Sequence, residues 1–322
     1  MKRFTISPPV AALILAVVLF LLSGFLPNSY GSDVKVALSQ ATNIVRLAVF
    51  LGVIAAGQTL VIISGFEGID LSAGSIVTLT AILTYIMVKG ENNMVLPALL
   101  VSLLVGAIIG VLNGIGVTFL KISPFVMTLG MSGVVTGAII IVNHGNVSGK
   151  VAPIMTRLIA RPISPSIPIP GAIVIWLIFG VLMWLLLERT TFGKNLFAIG
   201  VNRVTAKLSG VNVAGMNLAT YSLAGLLAGF GGFLVVGNTG VVLIQLGQPF
   251  LFPSIAAVAV GGTLLSGGKG SYWGSMAGAI VLTLITSLLT TMQMPDSVRR
   301  MVLGATLLVL ISIYGRQQGF RQ

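Results

Sequence analysis

Two of the six acidic residues in this 322-residue chain, Glu67 and Asp70, stand together in Gly65-Phe66-Glu67-Gly68-Ile69-Asp70-Leu71-Ser72-Ala73-Gly74. Apolar runs flank this stretch on both sides, and a carboxylate at membrane depth is costly enough to mark an ion or proton site. The pair could therefore serve a cation-coupled secondary carrier. The competing assignment is structural. Asp70 follows glycines and opens a helical run, so its carboxylate can accept from the backbone N–H groups near Ser72 and Ala73. Helix caps greatly outnumber intramembrane ion sites, and Asp70 with Ser72 is assigned as a cap.

The stretch Gly261-Gly262-Thr263-Leu264-Leu265-Ser266-Gly267-Gly268-Lys269-Gly270-Ser271 has the residue types of a phosphate-binding loop without its spacing. That loop needs a glycine, four residues, and then Gly-Lys followed by Ser or Thr. Here Thr263 stands where the first glycine is required, and Gly270 follows Lys269. The motif occurs nowhere else, so the chain has no such means of binding and hydrolysing ATP, and 261–271 reads as a flexible turn. Cysteine is absent and His144 is the one histidine, which argues against a metal centre. No nucleophile–base pair and no carboxylate pair is placed for acid–base work, so the chain reads as non-catalytic.

Uncharged polar residues are more suggestive. Gln58, Asn113, Thr128, Ser132, Thr136, Asn143, Asn238 and Gln245 fall inside apolar segments. Each alone is an ordinary interhelical hydrogen bond, worth under ~2 kcal/mol in a membrane. As a set, Gln58, Asn113, Thr128, Ser132 and Asn143 with Phe125 suggest a wet, uncharged route for a hydroxylated solute.

The elements that must position these residues are membrane helices. The chain is 56% hydrophobic and 7% charged, with a mean hydropathy of +1.08, against about 25% charged residues in a soluble domain. Ten apolar segments are placed at 8–26, 45–64, 70–88, 94–119, 125–143, 170–187, 214–238, 253–266, 273–292 and 299–315, using about 20 residues per crossing of a ~30 Å hydrocarbon core. Open sheets cannot face lipid, so the fold class is an all-α polytopic membrane protein, a single transmembrane domain over 1–322. The eighth segment is short and glycine-flanked, as a broken or re-entrant helix would be. Lys2 and Arg3 before a run from Val10 resemble a signal peptide, but the run is long and no small-residue cleavage site follows, which predicts an uncleaved first span.

The net charge of +12 does not indicate nucleic acid, because the basic residues sit at span ends without interleaved aromatics. With both termini in the cytoplasm, ten of the 18 Lys and Arg residues fall inside and eight outside, a small margin under the positive-inside rule. The largest outer segment, 144–169, is broken by prolines and reads as a structured loop or surface helix. Spans 2–5 begin outside and spans 7–10 begin inside, the polarity of an inverted repeat with substrate at the repeat interface. Gly106, Gly110 and Gly114, Gly133 and Gly137, Gly225 and Gly229, and Gly270, Gly274 and Gly278 recur at four-residue spacing, which lines one helix face for close packing.

One polar segment interrupts this pattern. Residues 189–212 lie between two spans and carry Phe192, Leu196, Ile199, Val204 and Leu208 at a spacing suited to short surface helices, with glycines at 193, 200 and 210 dividing it. An amphipathic interfacial helix and a docking element for a soluble partner both fit, the second slightly better.

Thr191-Phe192-Gly193-Lys194, Ala198-Ile199-Gly200 with Asn202, and Ala206 with Leu208-Ser209-Gly210-Val211 resemble the cytoplasmic coupling segment of ribose-type ABC importer permeases. Gly57-Gln58-Thr59-Leu60-Val61-Ile62 with Gly68-Ile69-Asp70-Leu71-Ser72-Ala73-Gly74-Ser75 is similar to a second hallmark of that family. Asn113-Gly114 with Pro124-Phe125 to Thr128-Leu129-Gly130 is similar to a third, and Ile255-Ala256-Ala257-Val258 with Gly261-Gly262-Thr263 and Ser266-Gly267-Gly268-Lys269-Gly270 to a fourth. The branched-chain amino-acid permeases share the fold, but Gly-Ile-Asp-Leu-Ser points to the sugar branch.

The resemblance implies a type II importer-like fold in the bacterial inner membrane, and two permease subunits, as a homo- or heterodimer. It also implies ABC ATPase subunits carrying ATP and Mg²⁺, and a periplasmic sugar-binding protein. Arg189, Thr191, Phe192, Gly193, Lys194, Gly200, Asn202, Ala206, Ser209 and Gly210 would then form the ATPase-coupling surface. Phe66-Glu67 before Gly68, and Phe252-Pro253-Ser254 where the family has Glu-Leu-Asp, depart from its pattern.

Overall fold

The computed structural model describes residues 7–25, 31, 33–65, 68–143, 149–164 and 167–318; Lys2, Arg3, Glu67, His144, Arg321 and the Asn143 side chain lie outside the described residues. Each of the ten apolar segments carries a helix. They are α1 (Pro8–Ser23), α2 (Val34–Ile63), α3 (Ala73–Val88), α4 (Val95–Thr118), α5 (Pro124–Asn143), α7 (Gly171–Trp184), α10 (Val213–Thr239), α11 (Gln248–Val260), α12 (Tyr272–Thr291) and α13 (Asp296–Gln318). Between them lie the short helices α6 (Pro153–Ile159), α8 (Thr191–Val201) and α9 (Arg203–Leu208), and a hairpin of β1 (Pro162–Ser164) and β2 (Ile167–Pro170). A π-helical turn, Leu185–Arg189, extends α7.

Local chemistry moves several boundaries. The Asp33 carboxylate accepts from Lys35 N at 2.8 Å and Val36 N at 3.2 Å, so α2 starts well before its apolar run and reaches 30 residues. Among the described residues, six helices are long and apolar enough to cross a membrane, whereas α1, α3 and α11 are shorter. The eighth segment is the clearest correction. Its helix covers Gln248–Val260, 13 residues, about 20 Å at 1.5 Å per residue, and 240–247 before it is not helical. Segment 144–169, where described, holds α6 and the hairpin, whose strands pair antiparallel with Pro162 opposite Pro170 and Ser164 opposite Ile167. Proline at the first turn of α6 leaves no hydrogen bond unmade, which is how a proline-rich stretch still starts a helix.

The core is built on α2 and α10, whose apolar windows are 89% and 72% buried, against 22% for α5. The helices packed on them repeat. α10 lies along α4 and α3, and α2 lies along α12 and α11; α3 packs on α4 and α5, and α11 packs on α12 and α13. Exchanging α2–α5 with α10–α13 reproduces this scheme, the arrangement an inverted repeat requires. α3 and α11 correspond, and each follows a non-helical approach, 68–72 and 240–247.

Glycine sets the closest contacts. Gly106 faces the Gly225 carbonyl, Gly110 faces that of Tyr221, and Gly229 faces that of Ser102, so an added methyl at any of the three would overlap the other helix's backbone. These pairs run in opposite chain directions, which makes α4 and α10 antiparallel. Gly274 and Gly278 meet Gly261 and Ala257 of α11 or its end in the same way. Gly133 and Gly137 do not pack, because nothing described lies within 4 Å of a Cβ added at either. α7 is tied in by polar contacts instead: Trp176 Nε1 donates to the Tyr272 hydroxyl at 3.0 Å, and that hydroxyl donates to Gly52 O at 3.0 Å.

Candidate functional site

Residues 189–212 fold as two short helices at the end of the bundle where α2 stops. The Thr190 hydroxyl accepts from Gly193 N at 3.3 Å to cap α8, and Asn202 Oδ1 accepts from Thr205 N at 3.0 Å to cap α9. The break between them is Asn202, whose φ of −158° is extended; Gly193 and Gly200 lie inside α8, contrary to the reading of them as dividers. Gly210, at φ +86°, ends α9 in the left-handed conformation glycine favours. Leu196 and Ile199 are buried, and Ile199, Ala206 and Val213 form a small core joining α8, α9 and the start of α10. Val204 and Leu208 were expected to face the bundle with them. They face outward instead, 69% and 85% exposed, beside Val201, because the extended turn at Asn202 rotates α9 relative to α8.

Arg189, Thr191, Lys194, Asn202, Lys207, Ser209 and Gly210 are exposed on this face. The Arg189 guanidinium lies 5.2 Å from the centre of the Trp184 ring, within cation–π range. Phe192 is half-buried against the main core.

Behind α8, three backbone segments converge through glycine. Ile63 O at the end of α2 accepts from Gly268 N at 2.9 Å. A Cβ added at Gly200 would overlap Ile63 O and come within 2.9 Å of the Gly268 Cα, and one at Gly65 would lie 3.2 Å from Gly200 and 3.3 Å from Ser266 O. The 261–271 turn is consequently ordered rather than flexible: Leu264 N donates to Lys269 O at 3.0 Å, Gly267 N donates to Leu264 O at 2.9 Å, and Gly267 and Gly268 are buried. α8 thus touches the end of α2, in the first repeat, and the α11–α12 turn, in the second.

Deeper in the bundle, Gln58, Asp70, Ser72, Asn113 and Thr128 form one buried network. Gln58 Nε2 donates to Asp70 O at 2.6 Å, and Gln58 Oε1 accepts from Asp70 N at 3.2 Å. Thr128 Oγ1 accepts from Leu71 N at 3.0 Å and donates to Ile69 O and Pro124 O at 3.2 and 2.9 Å. Asp70 Oδ1 accepts from Ser72 N at 2.8 Å and Ser72 Oγ at 2.5 Å, and Ser72 Oγ accepts from Asn113 Nδ2 at 2.9 Å. Asp70 therefore closes a turn just before the helix, and Ser72 occupies the N-cap position of α3. Gln58 and Thr128, singled out as lining a route, hold the non-helical 69–72 backbone, whose N–H and C=O groups cannot be left bare inside a membrane, and Asn113, singled out with them, holds the Ser72 hydroxyl. Among the described residues Asp70 has no ion-pair partner.

Ser132 sits elsewhere. Its hydroxyl is 2.7 Å from that of Ser75, at the edge of a cavity of about 410 Å³ between α3, α5 and 240–248. Thr136 and Gln245 line this cavity together with Ser75, Thr78 and Gln248, which the sequence reading missed. Ser75 and Thr78 recur three residues apart on α3, a one-face spacing that was available in the sequence; Gln245 precedes α11, so its spacing from Gln248 carried no such signal. Phe125 is exposed near the start of α5, away from the cavity. Asn238 Oδ1 accepts from Arg46 Nη1 at 2.7 Å and joins α10 to α2.

The family model described as "Branched-chain amino acid transport system / permease component" matches residues 40–311. The chain belongs to this family. As a member of it, the protein is a multi-pass membrane permease component, and the fold follows suit. The ribose import permease protein RbsC of Bacillus subtilis is 33% identical over 270 residues, 84% of this chain and 82% of the relative. The galactose/methyl galactoside import permease protein MglC of Salmonella typhimurium is 36% identical over 239 residues, 70% and 71% of the two chains. The autoinducer 2 import system permease protein LsrC of Shigella flexneri is 31% identical over 308 residues, 95% and 86%. No solved structure matches the chain.

Proposed function

We propose that this chain is the membrane subunit of an ATP-driven, binding-protein-dependent importer for a monosaccharide or similar polyol, working as one of a pair in the bacterial inner membrane with both termini in the cytoplasm. The observation that carries the reading is the two-sided build of 189–212. One side is anchored through Gly193, Leu196, Gly200 and Ala206, and the other presents Val201, Val204 and Leu208 among Lys194 and Lys207. An apolar cluster rimmed by charge on an aqueous face suits a protein partner. A separate ATPase docking there would press on α8, whose Gly200 abuts both repeats. In this reading the permease supplies two conformations, and nucleotide, binding protein and solute bias them through differential affinity. Relatives named for ribose and galactose import support a sugar as cargo.

The test is purification of the chain from its native host. An ATPase with nucleotide-binding motifs should co-purify, and deleting 192–210 should abolish that association. A complex that forms normally without 192–210 sinks the reading. So does uptake by the chain alone in proteoliposomes driven by an ion gradient.

A further inference from the structure

The cavity between α3, α5 and 240–248 holds chemistry that the coupling surface leaves unused. Among the described residues its wall carries three hydroxyls and two carboxamides, from Ser75, Thr78, Thr136, Gln245 and Gln248, and no charged side chain. The hydroxyl protons are largely committed. Thr78 Oγ1 donates to Gly74 O at 3.0 Å and accepts from Gly247 N at 3.0 Å, while Thr136 Oγ1 donates to Ser132 O at 2.7 Å. Neither carboxamide is engaged by another described residue, and both are exposed. Thr136 lies in the middle part of α5, so these groups sit at membrane depth. Two bare amides against hydrocarbon would be expensive, so a wall of this kind suits water or a polar solute better than lipid.

We propose that this cavity is a station for an uncharged polyhydroxylated solute in transit, with Gln245 and Gln248 as its specificity-determining residues; the proposal rests on the importer reading for its cargo. A carboxamide offers two donors and an acceptor, the complement of neighbouring hydroxyls that each donate and accept. A zwitterion such as an amino acid would find no counter-charge for either of its ends, and burying an unpaired charge is prohibitive. The volume falls in the ~300–1,000 Å³ range of small-molecule sites. The three isoleucines of the wall, Ile139, Ile140 and Ile244, give the C–H face of a sugar ring an apolar surface.

The chain contains no cysteine, so Thr136→Cys creates the sole thiol of this subunit and leaves both glutamines in place. Its labelling by N-ethylmaleimide would be followed in membranes of the native host, in the assembled transporter and without ATP. D-ribose, D-galactose or D-fructose in excess should slow labelling, L-leucine should not, and adding Gln245→Leu should raise the sugar concentration needed by about fivefold, the worth of one hydrogen bond. Ile140→Cys, four residues further along α5 and also on the wall, gives a second reporter should Thr136→Cys fail to fold. Labelling indifferent to all three sugars at both positions, or slowed equally by L-leucine, overturns the proposal. The two readings fail separately. Sugar protection without a co-purifying ATPase removes the importer reading and keeps the station, and an ATPase without sugar protection does the reverse.

Discussion

Single residues separate holding the fold from transmitting force. Asp70→Asn keeps a side-chain oxygen where Ser72 N and Ser72 Oγ now donate, whereas Asp70→Ala leaves the buried Ser72 N–H without its acceptor. The alanine variant should lose about 1–3 kcal/mol and the asparagine variant clearly less, measured as thermal unfolding in detergent. Equal losses would show that charge, not geometry, is what Asp70 supplies. Gly200→Val addresses transmission. Its side chain would collide with Ile63 O and crowd Gly268, so α8 must lift from its seat at a cost of about 1–3 kcal/mol. In the proposed importer the partner ATPase should still hydrolyse ATP while uptake collapses, and parallel loss of both activities would argue against that role.

Elements differ in how tightly glycine binds them. On α10, Gly225→Ala drives a methyl into Gly106 O and should destabilise the chain by about 1–3 kcal/mol. On α5, Gly133→Ala meets nothing described within 4 Å and should stabilise the isolated chain by about 0.5–1 kcal/mol through helix propensity. Unfolding midpoints of the two variants should move in opposite directions. The sequence could not tell these glycines apart, because four-residue spacing reports a shared face and not what that face meets. It was more informative where chemistry is local. Asp70 was legible as an acceptor for the backbone ahead of α3, and Asn202 and Gly210 as members of a folded segment. Gln58, Asn113 and Thr128 were legible as polar residues in apolar helices, but their engagement with 69–72, through backbone for Gln58 and Thr128 and through the Ser72 hydroxyl for Asn113, depends on three helices meeting, which no spacing within one segment encodes. The outward turn of Val204 and Leu208 was hidden for a similar reason: it follows from one backbone angle at Asn202.

Across the molecule, the repeat relates α2–α5 to α10–α13, and Gly200 sits where the end of α2, in the first half, touches the α11–α12 turn, in the second. Hydropathy placed all ten segments, and the eighth was legible as short, but it could not show that α3 begins only at Ala73, since Ile69 and Leu71 are apolar whatever their backbone form. Shortened helices free their preceding backbone to line a cavity, which is where Gln245 lies, with Gln248 at the first position of α11. Replacing both by leucine should leave ATPase association intact and reduce sugar uptake by about tenfold or more, two hydrogen bonds' worth; an unchanged rate would place the route elsewhere.

The backbone-on-backbone contact between α4 and α10 has a mechanical meaning. Side chains can change rotamer and let packed helices creep past each other, but Gly106, Gly110, Gly225 and Gly229 have none to move. That seam is a keel: sliding one helix along the other would drive backbone into backbone. In the proposed importer any swing would turn about it, with α5, the least enclosed of the six candidate spans, as the moving part. Spin labels on either side of the seam should keep one separation in every nucleotide state, while a label on α5 should register two.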